Sequence, residues 1–203
     1  MSSLRLAFSL AALALASCAA PQTRGSGAPP RGDANYDTPP ASINRSAILV
    51  GQRQLDEDTW DPLDEQLHFG LEISHISAAS SMGDEFGVTG SFDDIEDSGA
   101  EIEVRVFEFY GGFRFQSATG KARPFFGLGG SLTYAEVEAD LGFVSGADDD
   151  IAFGGYIHGG LNLEISRDMD LVFDVRKRIG NDLDFTGIEA DIDFLTFSVG
   201  VSF

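Results

Sequence analysis

The sequence predicts an all-β protein in which eight amphipathic strands form an antiparallel up-and-down transmembrane β-barrel. Three observations lead to this prediction. The C-terminal segment alternates strictly between apolar and polar residues, and eight segments of this kind can be counted between residues 47 and 203. No window reaches the roughly 18 uninterrupted apolar residues of a spanning helix, so a chain that crosses a membrane would do so with strands.

The last strand, residues 191–203, shows the alternation most clearly. Because successive side chains of a strand point to opposite faces, its large apolar residues share one face and its small polar residues share the other. The apolar row is Leu195, Phe197, Val199, Val201 and Phe203. One face therefore suits hydrocarbon, and the chain stops on an aromatic residue at the end of that row.

Seven earlier segments complete the count. The eight predicted strands are residues 47–55, 67–76, 85–92, 107–116, 123–137, 151–165, 170–178 and 191–203. The pattern does not assign the two faces of the first strand. At Ile102, Val104 and Val106 the alternation slips by one residue, which indicates either a bulge or the point where a strand leaves the membrane.

The connections between these strands alternate in length and charge. Residues 56–65, 93–99, 138–150 and 180–190 are longer or strongly acidic, and the connections between them are short. Short inner turns and longer outer loops are typical of outer-membrane barrels. The sequence therefore predicts acidic extracellular loops, with an even strand count that leaves both termini in the periplasm.

The first residues predict export. Residues 1–17 hold one cation, Arg5, and then an apolar run that is too short for an anchor and fits a signal peptide. Residues 15–18 read Leu-Ala-Ser-Cys, which resembles the lipobox of bacterial lipoproteins, so lipidation of Cys18 is expected. Ordinary cleavage after Ala20 is the alternative.

Composition divides the rest of the chain into a tether and one domain. Residues 18–46 are rich in Pro, Gly, Ala and Ser and predict a disordered tether, and residues 47–203 form the predicted barrel domain. The formal net charge is −20. Nucleic acid is therefore not an expected partner, because binding it needs cations that neutralise phosphates.

The pattern over residues 47–203 resembles the small eight-stranded outer-membrane barrels, the group of the outer membrane protein A transmembrane domain. Residues 154–160, Gly-Gly-Tyr-Ile-His-Gly-Gly, and residues 171–176, Leu-Val-Phe-Asp-Val-Arg, resemble the penultimate hairpin of that group. Phe203 resembles the terminal residue that the outer-membrane assembly machinery reads. The resemblance implies an integral protein of a Gram-negative-type outer membrane, with lipids and lipopolysaccharide as neighbours. The lipobox is a departure from the group.

The polar rows are expected to face inward. Eight strands leave an interior that side chains can just fill, and the 17 phenylalanines would crowd it. The predicted interior polar network is Glu72, Glu108, Tyr110, Arg114, His158, Glu164, Asp174 and Arg176. Since a desolvated charge must be paired to be tolerated, ion pairing that serves stability is a simpler interpretation than a gate.

The sequence shows no pattern that predicts a catalytic, cofactor or metal site. His75 lies near Ser74 on the lipid side of its strand, and packing at the interface is a simpler interpretation than lipid-modifying catalysis. Residues 93–97 and 148–150 offer hard oxygen ligands without the spacing of a calcium loop. Bridging by divalent cations to lipopolysaccharide stays open, as does the choice between interface anchoring and loop packing for Trp60.

Four functions are considered for this architecture. The preferred one is an integral outer-membrane barrel with a narrow, side-chain-filled interior and a structural or surface-interaction role, without enzymatic activity. The alternatives are a small channel or uptake barrel for apolar solutes, a lipid-tethered soluble barrel of the lipocalin type that binds an apolar ligand, and a lipid-modifying enzyme that uses His75.

Overall fold

The computed structural model describes residues 42–77, 80–97, 100–117, 120–140, 145–185 and 188–203. The predicted signal peptide, Cys18 and most of the predicted tether lie outside the described residues. Within the described part, no helix combines the length and the apolarity that crossing a membrane would require.

Eight long strands form one antiparallel barrel in which neighbours in sequence pair with each other. The ring closes where the last of these strands pairs with the first. The strands are β1 Ser42–Leu55, β2 Glu65–Ser77, β3 Met82–Asp97, β4 Ala100–Gln116, β5 Ala122–Asp140, β6 Ser145–Ser166, β7 Met169–Gly180 and β10 Phe194–Ser202. The eight predicted strands and the predicted fold class are confirmed.

In the described part of the chain, two small elements lie outside the barrel wall. Helix α1, Glu57–Trp60, follows β1, and a two-stranded sheet of β8, Leu183–Phe185, and β9, Ile188–Ala190, lies between β7 and β10. We call the end of the barrel that carries these elements the loop end and the opposite end the turn end.

Seven of the eight barrel strands are longer than the sequence predicts, and the last, β10, is shorter. β3 pairs with β4 as far as Asp97, and β5 pairs with β6 as far as Asp140. Most residues of the predicted acidic connections 93–99 and 138–150 therefore belong to strands. Exposed acidic side chains are compatible with this pairing, because the ladder hydrogen bonds use only backbone atoms. β1 begins at Ser42 and so includes the last five residues assigned to the tether.

The apolar rows face outward on all eight barrel strands. One exposed apolar residue from each strand, in chain order, is Val50, Phe69, Phe86, Phe113, Phe126, Phe153, Phe173 and Phe197. We call this outer surface the apolar belt. A contiguous apolar surface of this extent suits hydrocarbon, because soluble proteins rarely expose one. The lipocalin-like alternative, which needs these rows inside, does not agree with this arrangement.

The slip in alternation on β4 is not a bulge. The pairing of β4 with β3 and β5 runs through this region without a register shift. Val104 and Val106 are buried inside the barrel, whereas Glu103 and Arg105 lie on the outer face. The two faces therefore exchange polarity, as expected where a strand leaves the membrane.

Candidate functional site

Side chains fill the barrel interior in two main layers. Charged and aromatic polar residues occupy the middle, and we call this layer the polar core. Apolar residues close the loop end, and we call this layer the apolar cap. The cap consists of Leu55, Trp60, Leu63, Val104, Val106, Ala135, Ala152, Leu183, Ala190, Ile192 and Phe194.

Arg114 lies near the centre of the polar core. Its guanidinium pairs with Glu72 on β2, and its Nη1 atom lies 3.5 Å from Oε2 of Glu85 on β3. The same guanidinium lies over the ring of Phe125, 3.7 Å from the centroid. All three charged side chains are almost completely buried, so this pairing compensates for desolvation.

Arg176 links opposite sides of the barrel. From β7 its Nη2 atom lies 3.4 Å from Oε2 of Glu72, and its Nη1 atom lies 4.0 Å from Oε2 of Glu108. Its guanidinium lies 3.4 Å from the centroid of the Tyr110 ring. The Tyr110 hydroxyl donates a hydrogen bond of 3.0 Å to Glu72. Glu72 therefore accepts contacts from β4 and from β7 across the interior.

His158 lies between two carboxylates. Its Nε2 atom is 2.8 Å from Oε1 of Glu85, and its Nδ1 atom is 3.0 Å from Oδ1 of Asp174. The Tyr156 hydroxyl also donates to Oε1 of Glu85, at 2.7 Å. Gly127 leaves the space for this arrangement, since a Cβ atom there would lie 2.1 Å from Nε2 of His158.

Glu72, Glu85 and His158 also form a buried group with metal-ligating atoms, which lie within 4.8 Å of one another. Arg114 pairs with both carboxylates of this group. Its guanidinium already supplies positive charge between them, and a divalent cation would be repelled by it at close range. The geometry therefore favours an ion-pair network over a metal centre.

Two further arginines connect the polar core to the apolar cap. Arg53 donates hydrogen bonds to Thr89 at 2.7 Å and to Ser91 at 3.0 Å, and it lies over the ring of Phe194, 4.1 Å from the centroid. Arg178 donates a hydrogen bond of 3.0 Å to the carbonyl oxygen of Ile192. Both guanidiniums are buried, so polar contacts continue up to the edge of the cap.

Trp60 belongs to the apolar cap. Its indole Nε1–H donates a hydrogen bond of 2.5 Å to the carbonyl oxygen of Asp191. Its ring meets that of Phe185 edge to face, with 6.2 Å between centroids. Only 8% of Trp60 is exposed, so this residue packs within the loops rather than anchoring the barrel at the membrane surface.

Another set of ion pairs lies near the turn end, away from the polar core. Nη2 of Arg123 on β5 lies 2.5 Å from Oδ2 of Asp170 on β7, and Nε of Arg45 on β1 lies 3.8 Å from the same oxygen. Asp170 is fully buried. Glu164 lies 3.8 Å from Arg123, but its side chain is 36% exposed. Glu164 is the ladder partner of the inward-facing Asp170, so it lies on the inner face at the open rim and outside the polar core, and its place in the interior network stays a prediction.

The structure brings together the other predicted members of the network. Buried in the polar core are Glu72, Glu108, Tyr110, Arg114, His158, Asp174 and Arg176. The prediction omits Glu85, Tyr156, Arg53 and Arg178. The inward position of Glu85 could have been predicted, because its neighbour Phe86 faces outward and successive residues of a strand point to opposite faces.

His75 is separated from the serine that precedes it. Its ring is exposed on the outer face and contacts the side chain of Asn44, whereas Ser74 is 5% exposed and faces the interior. The two residues therefore do not form a nucleophile and base pair.

Comparison with known proteins agrees with the fold. The family model described as outer membrane protein beta-barrel domain matches residues 8–203. No curated protein matches the chain. Similar solved structures include Neisserial surface protein A, with a TM-score of 0.50 and 13% identity over 80% of this chain and 97% of that chain.

Two further structures are similar at the same level. Ail of Yersinia pestis, solved in complex with the heparin analogue sucrose octasulfate, has a TM-score of 0.55 and 13% identity over 80% of this chain and 97% of that chain. A major outer membrane protein of Thermus thermophilus has a TM-score of 0.59 and 8% identity over 80% and 98%. The match over most of the chain and the shared fold show that this protein belongs to the outer membrane protein β-barrel domain family.

Proposed function

We propose that this protein is a non-conducting outer-membrane barrel with a structural and surface-interaction role. The observation that carries the proposal is the apolar cap, which closes the loop end above the polar core. An ion that enters from the loop end would lose its hydration among apolar side chains, which is costly. An apolar solute that passed the cap would then meet buried ion pairs. The apolar cap and the buried ion pairs therefore both argue against the channel alternative.

We propose that the loop end lies outside the cell and the turn end in the periplasm. The acidic strand extensions and the longer connections lie at the loop end, as in other outer-membrane barrels. Both described ends of the chain lie together at the turn end, where the backbones of Ser46 and Phe203 exchange two hydrogen bonds of 2.8 Å. Phe203 is thus available at the periplasmic end to act as the proposed assembly signal.

We further propose lipid contacts at both ends of the barrel. A lipid on Cys18 would add a second anchor on the periplasmic side, where β1 begins. Lipopolysaccharide would surround the acidic loop end, with divalent cations between the two sets of negative charges. No catalytic role is proposed for His75, whose ring contacts Asn44 on the outer face.

Bilayer recording of the refolded barrel tests the proposal. The wild-type protein is expected to give no conductance steps. Two variants of β10 form a matched pair: Phe194→Ala removes a ring from the apolar cap, and Phe197→Ala removes one from the outer face. Leakage through Phe194→Ala alone would identify the cap as the barrier, whereas reproducible steps in the wild type would overturn the proposal.

A further inference from the structure

A recess of about 490 Å³ opens at the loop end, above the apolar cap. It lies between α1, the β8–β9 sheet and the part of β5 and β6 that extends beyond the cap. Trp60 and Phe185 form its aromatic side, and Val137 and Ala139 of β5 form its aliphatic side. Its volume is within the range of roughly 300–1,000 Å³ that is typical of ligand sites.

The wall of this recess continues the inner face of the barrel. On β5 the buried Ala135 is followed on the same face by Val137 and Ala139, while Glu136 and Glu138 occupy the outer face. Val137 packs against the apolar cap. An apolar inner face therefore extends past the cap into the aqueous region. Covering this face with a partner would be favourable, because it would remove apolar surface from water.

The charge around the recess determines which sign of charge a partner would need to carry. Residues 136–150 contain six carboxylates and no lysine or arginine. On the outer face, Arg105 of β4 lies beside Glu103, 3.6 Å from Glu136 and 3.8 Å from Glu138, so that cation is already paired with three carboxylates. The net negative charge of residues 136–150 would attract a cationic partner and repel an anionic one.

We propose that the recess binds an aromatic or aliphatic side chain of a cationic peptide segment, with lysine or arginine residues of that segment placed along the acidic rim. The inference rests on the surface-interaction role proposed above and names the chemistry of its partner. The apolar side chain would provide the buried contact, and the charges would provide attraction and orientation.

Binding of short synthetic peptides to the full-length barrel tests this inference. The probe carries one phenylalanine flanked by lysines, and the matched peptides carry alanine in place of phenylalanine or glutamate in place of lysine. The chain has one tryptophan, and it lines the recess, so fluorescence of Trp60 reports binding of these tryptophan-free peptides directly. Only the peptide with phenylalanine and lysine is expected to bind, and higher salt is expected to weaken its binding.

Two variants locate the binding site. Ala139→Phe fills the recess and is expected to weaken peptide binding by about tenfold or more. Ala122→Phe makes the same substitution at the turn end and is expected to leave binding unchanged. Circular dichroism melting verifies that both variants fold, and a labelled peptide measured by anisotropy gives an independent Kd.

Three outcomes would overturn the inference: no binding to the wild type, equal binding of the glutamate peptide, or undiminished binding to folded Ala139→Phe. None of these outcomes bears on conductance. A barrel that gives no conductance in bilayers and binds no peptide would retain the proposed non-conducting role and lose only this site. A barrel that conducts ions and still binds the peptide would retain this site and lose the proposed non-conducting role.

Discussion

Replacing Arg114 with methionine removes a guanidinium that contacts both Glu72 and Glu85 in the polar core. The side chain is 2% exposed, so both carboxylates lose a partner in surroundings from which water is largely excluded. Breaking a buried ion pair from one side costs about 3–5 kcal/mol. Glu72 retains Arg176 at 3.4 Å and Glu85 retains His158 at 2.8 Å, which favours the lower end of that range.

The expected loss in the free energy of unfolding for Arg114→Met is therefore about 3 kcal/mol. Urea titration of the barrel in lipid vesicles, followed by circular dichroism, measures it. Arg105→Met is the matched control, because Arg105 lies on the same strand and also pairs with glutamates but is 26% exposed. Its expected cost is below about 1 kcal/mol. Equal losses for the two variants would refute the assignment of the polar core as a set of buried, mutually compensating charges.

Gly127→Ala places a Cβ atom 2.1 Å from Nε2 of His158, and overpacking of this kind is expected to cost about 2 kcal/mol in the same titration. Trp60→Ala removes a ring and a hydrogen bond from the apolar cap; we expect a loss of about 3 kcal/mol, and an unchanged midpoint would contradict the cap assignment. The Asp184 N–H, which donates to Asp150, lowers the pKa of that carboxyl, so the contact contributes stability above the unfolded pKa of about 3.9 and loses it as pH falls through the folded value. The protection of the Asp184 amide, which is its exchange rate relative to the intrinsic rate at the same pH, should therefore fall only at strongly acidic pH, and a fall in protection near neutrality would contradict this linkage.

The barrel itself could be predicted because lipid imposes a simple pattern on each strand. Large apolar residues such as Phe197 and Val199 must face outward, and the small or polar residues between them must face the narrow interior. The strand ends were less accessible to prediction. Beyond the membrane the outer face becomes acidic and the inner face keeps small apolar residues such as Ala139, so residues 138–150 have the composition of a loop although most of them form strands.

The polar core could be predicted only where the strand facing was clear. Arg53 was missed because its strand carries apolar residues on both faces: Leu49 is 4% exposed inside the barrel and Ile48 is 51% exposed outside. The apolar cap had no periodic signal, since Trp60 and Leu183 come from connections that are far apart in sequence. Their convergence depends on barrel closure rather than on any local pattern.

Membrane fractionation of Cys18→Ala, exported through a replacement cleavable signal and washed at alkaline pH, tests most directly that the apolar belt holds this protein in the outer membrane. The substitution removes the proposed site of lipidation and leaves the barrel strands unchanged. Retention in the outer-membrane pellet is expected, because each barrel strand presents apolar side chains to hydrocarbon. Release of a folded protein into the wash would contradict the outward orientation of the belt and make the lipid the anchor.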